Sequence, residues 1–161
     1  MLAYLFWHRP DEPESSDEYE RRLVEFHRAI QEAVVGSAAF RLERLPFTEA
    51  AGYEDWCLVD SWAALGELND AAVSGERAQP HDAVAHRSGD GWGGVYRLIR
   101  GSPEVPAGGR WASKPREETY EAFLAGEDAG AVWQRQLVLG PAPEFFLSAG
   151  ASEARVRIWP R

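Results

Sequence analysis

Apolar and polar positions along the chain form short continuous runs and two clear helical stripes. Leu2 to Trp7 is an unbroken aromatic and aliphatic run that suits a mostly buried, central strand. His8 and Arg9 emerge at its end, and Pro10 bars the ladder from continuing. Tyr19, Leu23, Phe26, Ile30 and Val34 then recur at spacings of four and three, the stripe of an amphipathic helix. Ser15 with Glu18 three residues on forms a capping box at its start, and Gly36 marks its end. His27 lies beside the stripe, where a boundary histidine with a partly exposed ring is expected. Phe40 to Leu45 alternates as a short strand before Pro46, and Tyr53 to Asp60 predicts a more buried one. Asp60 or Ser61 caps a second helix with Leu65, Leu68 and Ala72 on its inner face and Gly75 at its end.

Ser74 to Gly94 is irregular, with Pro80 positioned to open a short helix. A strand follows from Gly94 through Arg100, then a loop from Pro103 to Gly109, and a helix announced by Ser113 and Pro115 that carries Tyr120, Phe123 and Leu124. Val132 to Leu139 predicts a further strand, stopped by Gly140-Pro141-Ala142-Pro143; Glu144 to Leu147 and Arg155 to Trp159 supply one or two more. Strand, helix, strand, strand thus occurs twice. This divides the chain into a first module over 1–75, a linker or insertion over 76–94 and a second module over 95–161, within one compact domain.

Composition narrows the function. A chain of 161 residues with 45% hydrophobic content can bury ~70% of its unfolded surface without a metal or disulfide. The net charge of -9 argues against nucleic acid and anionic membranes as partners. No run approaches a spanning helix, and no signal peptide is evident. Cys57 stands alone in an apolar run, which suits a buried inert thiol and a cytoplasmic home.

Among the candidate chemical groups, His8 is the expected general base near neutral pH, at the tip of the first strand. Trp7, Trp56, Arg97 and Trp133 are the expected ligand-binding lining, with Arg9 or Arg135 as further cations; the structural alternative pairs Arg9 with the Asp11/Glu12 loop. Neighbours on a strand point to opposite faces, so His8 and Arg9 do not share a pocket, nor do Asp55 and Trp56. The histidines at 8, 27, 81 and 86 form no metal signature, though Asp82 and His86 would share a helix face. No metal or other cofactor is predicted, and neither a phosphate loop nor a nucleophile elbow is present.

With two strand-helix-strand-strand units in view, the chain resembles the dimeric α+β barrel superfamily, built from ferredoxin-like modules. The likeness rests on the first strand ending Trp7-His8-Arg9-Pro10, the Tyr53 to Asp60 strand leading into the Trp62 to Val73 helix, and the later strand ending Leu139-Gly140-Pro141. It implies an α+β fold in which two modules in one chain form an antiparallel sheet or barrel with helices outside. A ligand would sit between sheet and helices, and a homodimer is the superfamily's usual assembly. Members include cofactor-independent monooxygenases, isomerases and haem proteins. Two functions follow as expectations. One is a protein holding a small organic ligand in an aromatic-lined cavity, with cofactor-independent acid-base or monooxygenase-type chemistry; the other is a non-catalytic structural or protein-interaction module with a filled core. Fold analogy does not choose between them.

Overall fold

A computed structural model describes residues 1–11, 15–139, 141–150 and 154–160. Glu12 and Gly140, named above, lie outside the described residues. The fold is α+β. Its strands are β1 (Leu2–Pro10), β2 (Gly36–Leu42), β3 (Gly52–Val59), β4 (Ser88–Arg100), β5 (Gly108–Ala112), β6 (Val132–Leu139), β7 (Phe145–Ala149) and β8 (Arg155–Trp159). The helices among the described residues are α1 (Ser16–Ile30), α2 (Trp62–Ala72), α3 (Ala78–Ala85) and α4 (Tyr120–Ala125).

All strands join one antiparallel sheet in the order β5-β7-β6-β4-β1-β3-β2-β8, curled into a nearly closed barrel. The edges β8 and β5 approach each other, since Arg155 of β8 donates through Nη1 to the Pro106 carbonyl just before β5 at 2.7 Å. β1 is central, as its composition predicts, paired with β3 on one side and β4 on the other. Every residue of β3 is buried, because the barrel interior covers one face and helices cover the other.

Alternation along β1 divides the molecule into two cores. Ala3, Leu5 and Trp7 point into the barrel, where they meet Phe40, Trp56, Leu58, Tyr96, Trp133 and Phe146. Leu2 points the other way, into a separate cluster with Ile30, Cys57, Leu68 and Val95 beneath α1 and α2. The N-terminal signals of the helices act as their residue types dictate. Ser15, Ser61 and Thr119 each accept a backbone N–H of α1, α2 and α4 respectively.

The structure departs from the sequence pattern in the middle of the chain. The short helix expected near Pro80 forms as α3, but the rest of the segment 76–94 is not linker alone, because β4 starts at Ser88 instead of Gly94. β5 occupies Gly108–Ala112, between the end of the expected loop and the expected helix start at Ser113, where no strand was expected; Arg110, Trp111 and Ala112 pair with Leu147, Phe146 and Phe145 of β7. α4 begins only at Tyr120, capped by Thr119, and not at Ser113.

Candidate functional site

The face of the sheet that looks toward the helices carries the polar chemistry. β1 sends Tyr4, Phe6 and His8 there, and β3 sends Tyr53, Asp55 and Cys57. In the register of the two strands His8 lies opposite Tyr53 and Phe6 opposite Asp55. β4 places Gly91 opposite His8 and Gly93 opposite Phe6. A Cβ on Gly91 would come within 2.4 Å of the Phe6 ring, so glycine is what lets Phe6 lie across β4.

His8 is fully buried and held on both sides of its ring. Nε2 meets Asp55 Oδ2 at 3.1 Å, and Nδ1 meets the Tyr19 hydroxyl of α1 at 2.5 Å. The rings of Phe6 and Tyr53 both stack with it, with centroids 5.5 and 5.7 Å away. The Tyr19 hydroxyl continues to Ser88 Oγ at 2.8 Å, and Ser88 donates to the Val84 carbonyl of α3 at 3.1 Å. A hydrogen-bonded path therefore runs from Asp55 through His8 and Tyr19 to Ser88.

The second oxygen of Asp55 lies 3.1 Å from Nε2 of His27, which is also fully buried. That contact is bent away from hydrogen-bond alignment, and neither ring nitrogen of His27 has an aligned partner among the described residues. His27 is thus an interior residue, not the boundary residue its position beside the stripe suggests. Burial by itself would raise the Asp55 carboxyl, but the imidazoles of His8 and His27 reverse this and hold it well below the usual carboxylate range. Burial and Asp55 together push the Cys57 thiol up, which suits an inert side chain. Tyr53 is pushed up to about 12, first by burial and then by Glu20.

Beside this cluster lies a cavity of about 790 Å³ between β1, β3 and β4 and the three helices α1, α2 and α3. Phe26, Leu65, Leu68 and Ala72 form apolar wall, and His8, Asp55 and Ser88 give it a polar floor. Tyr4, Trp62, Val73 and Leu137 line it while remaining exposed, and so mark its mouth.

Of the residues singled out in the sequence, His8, Asp55, Cys57 and His81 line this cavity. Trp7, Trp56 and Trp133 lie inside the barrel, on the other side of the sheet. Arg97 is exposed and pairs in register with Leu2. Arg9 forms an ion pair with Asp90 of β4. Arg135 donates to the Ala142 carbonyl, and Asp82 is met by His81 rather than His86, at 3.0 Å. Asp55 and Trp56 occupy opposite faces of β3, and both are buried because both faces are covered. Tyr19 and Ser88 carried no chemical signal in the sequence, since one belongs to an ordinary apolar stripe and the other to an irregular stretch. No described group of three His, Cys, Asp or Glu side chains is arranged to hold a metal ion. No described helix is long and apolar enough to cross a membrane.

Inside the barrel a different polar cluster surrounds Glu54. Its carboxylate accepts from the indole nitrogens of Trp7 at 2.9 Å, Trp56 at 2.7 Å and Trp111 at 2.8 Å, and pairs with Arg155 at 2.8 Å. The tryptophans fill space and satisfy a buried acid there. No protein family, curated protein or solved structure matches the chain.

Proposed function

We propose that this protein binds a small, largely apolar organic molecule between sheet and helices and exchanges protons with it without a cofactor. The observation that carries this reading is the cavity of about 790 Å³ whose apolar wall converges on His8, Asp55 and Ser88. Its volume falls within the range of small-molecule sites. The Glu54 cluster fills the barrel side, which favours a core role for Trp7, Trp56 and Trp133 and leaves ligand binding to the opposite face of the sheet. His8 serves as the base, but with both ring nitrogens engaged it acts through its hydrogen-bonded neighbours.

The scaffold that fits is a dimeric α+β barrel with both ferredoxin-like modules in one chain. Support comes from strand order: β3 lies between β1 and β2, and β7 lies between β5 and β6. Each trio has a helix, α1 or α4, between its first two strands. β4 flanks β1, and β8 faces β5 across the seam, so each trio gains a fourth strand in the corresponding position. On this reading the first module includes β4 and the second begins at β5. A cytoplasmic setting fits the lone, buried Cys57.

The test fills the cavity without disturbing its walls. Gly66 lines the cavity from α2, and a Cβ there meets nothing within 4 Å. Gly66→Phe is expected to abolish binding of a neutral aromatic probe, 1-naphthol, read by its fluorescence. Thermal stability should stay level or rise, because replacing a helical glycine gains about half a kcal/mol. Equal naphthol binding by Gly66→Phe, or none by the wild type, overturns the reading.

A further inference from the structure

The fully buried His8 has neither ring nitrogen open to the cavity, whereas Ser88, two bonds of the network away, lines it. We infer that Ser88 is the proton port of the site, passing protons between the cavity and His8 through the Tyr19 hydroxyl. The inference rests on the cavity being the ligand site, but it concerns a property of the network that is measured without any ligand.

The bookkeeping of hydrogens supports it. With His8 neutral, Nε2–H donates to Asp55 Oδ2, Nδ1 accepts from Tyr19, the Ser88 hydroxyl hydrogen turns from the Val84 carbonyl to the Tyr19 oxygen, and the Ser88 oxygen is available to a donor in the cavity. When an acidic O–H or C–H of the ligand gives up its proton, three hydrogens shift in sequence. The ligand proton goes to Ser88 Oγ, the Ser88 proton to the Tyr19 oxygen, and the Tyr19 proton to His8 Nδ1. The products are the ligand anion and an imidazolium facing the Asp55 carboxylate, so charge and atoms balance. In that state Nδ1–H donates to Tyr19, Tyr19 to Ser88, and Ser88 to the Val84 carbonyl, the contact seen at 3.1 Å. Both proton arrangements use the same heavy-atom positions, so transfer needs little rearrangement. The titratable groups facing His8 are Asp55 and Tyr53 from β3 and Tyr19 from α1, with His27 on the far oxygen of Asp55. Of these only the path through Tyr19 continues to a hydroxyl lining the cavity.

The experiment measures exchange with water of the hydrogen shared between the Tyr19 hydroxyl and His8 Nδ1, read at Nδ1 by nitrogen-15 NMR, in wild type, Ser88→Ala and Ser88→Thr. Ser88→Ala should slow exchange about a hundredfold, the low end of what a positioned proton-transfer group contributes, and Ser88→Thr, which keeps the hydroxyl, should restore it. Exchange at or above the wild-type rate in Ser88→Ala overturns the inference, as does equal slowing in both variants. Binding of 1-naphthol is followed in the same samples. Its absence would sink the ligand reading, while the exchange comparison would still decide whether Ser88 is the port.

Discussion

Asp55 shows how one buried acid organises a neighbourhood. Removed from water it would be expected to neutralise, yet two imidazoles on its oxygens keep it ionised. Because its folded pKa lies below the unfolded value near 3.9, the folded state binds fewer protons through the acid range. The stabilisation is therefore fully present above about pH 4 and is lost as pH falls further. Asp55→Asn should cost about 3 kcal/mol at neutral pH, because it strips a buried pair of its charge partner. The gap from wild type should narrow progressively as pH falls below about 4, where Asp55 of the unfolded chain takes up a proton that the folded carboxylate refuses until well lower pH. Urea unfolding across pH measures both, and a gap that stays constant into acid would remove Asp55 from its role. Little of this arrangement was legible in the chain. His8 stood out because it ends an apolar run, but the partners that define its chemistry are 11 and 47 residues away. Alternation along β3 says that Asp55 and Trp56 part company; it does not say that both faces are covered.

At the scale of elements, periodicity served well where one face meets one core. α1, α2 and the central position of β1 follow from stripe, caps and aromatic content; of the capping box only the Ser15 half forms, accepting from the Glu18 N–H, because the Glu18 carboxylate turns to Arg21 and Arg22 instead. It failed where pairing overrides local preference. β5 is Gly-Gly-Arg-Trp-Ala, too short and glycine-rich to signal a strand, and it exists because β7 supplies a ladder beside it. The glycines of β4 similarly read as linker, but Gly89, Gly91 and Gly94 each answer to a specific neighbour, Asp11, Phe6 and Tyr96. Gly91→Ala drives a methyl to 2.4 Å from Phe6, the ring that stacks on His8. Overpacking of this kind costs about 1–3 kcal/mol. At Gly93 the nearest atoms are 3.4 to 3.5 Å away, ordinary contact, so Gly93→Ala should be neutral or stabilise by about 0.5 kcal/mol through its lower chain entropy. Thermal unfolding of the two variants side by side tests the assignment, and equal losses would mean that Phe6 does not occupy this seat.

For the whole molecule the decisive step is bringing the two sheet edges together. Arg155 performs it from inside: its guanidinium pairs with Glu54 of β3 through Nε at 3.1 Å and Nη2 at 2.8 Å, and reaches the Pro106 carbonyl beside β5. It also lies 3.4 Å over the Phe40 ring. Burial lowers the Arg155 pKa and Glu54 works against that, yet a guanidinium keeps its charge at any working pH. The attraction therefore operates away from solvent and its screening. Arg155→Met keeps most of the side-chain volume but leaves Glu54 buried without its cation. The expected cost is about 3–5 kcal/mol, with amide exchange rising first in β8 and β5. Adding Glu54→Gln should recover part of the loss, since a neutral amide oxygen still accepts from the surrounding indoles. Its NH2 group opposes one of them, so recovery stays incomplete. If the single variant unfolded at wild-type denaturant concentration, or if exchange rose uniformly over the sheet, the seam would owe its closure to the apolar contacts around Arg155 and not to the ion pair.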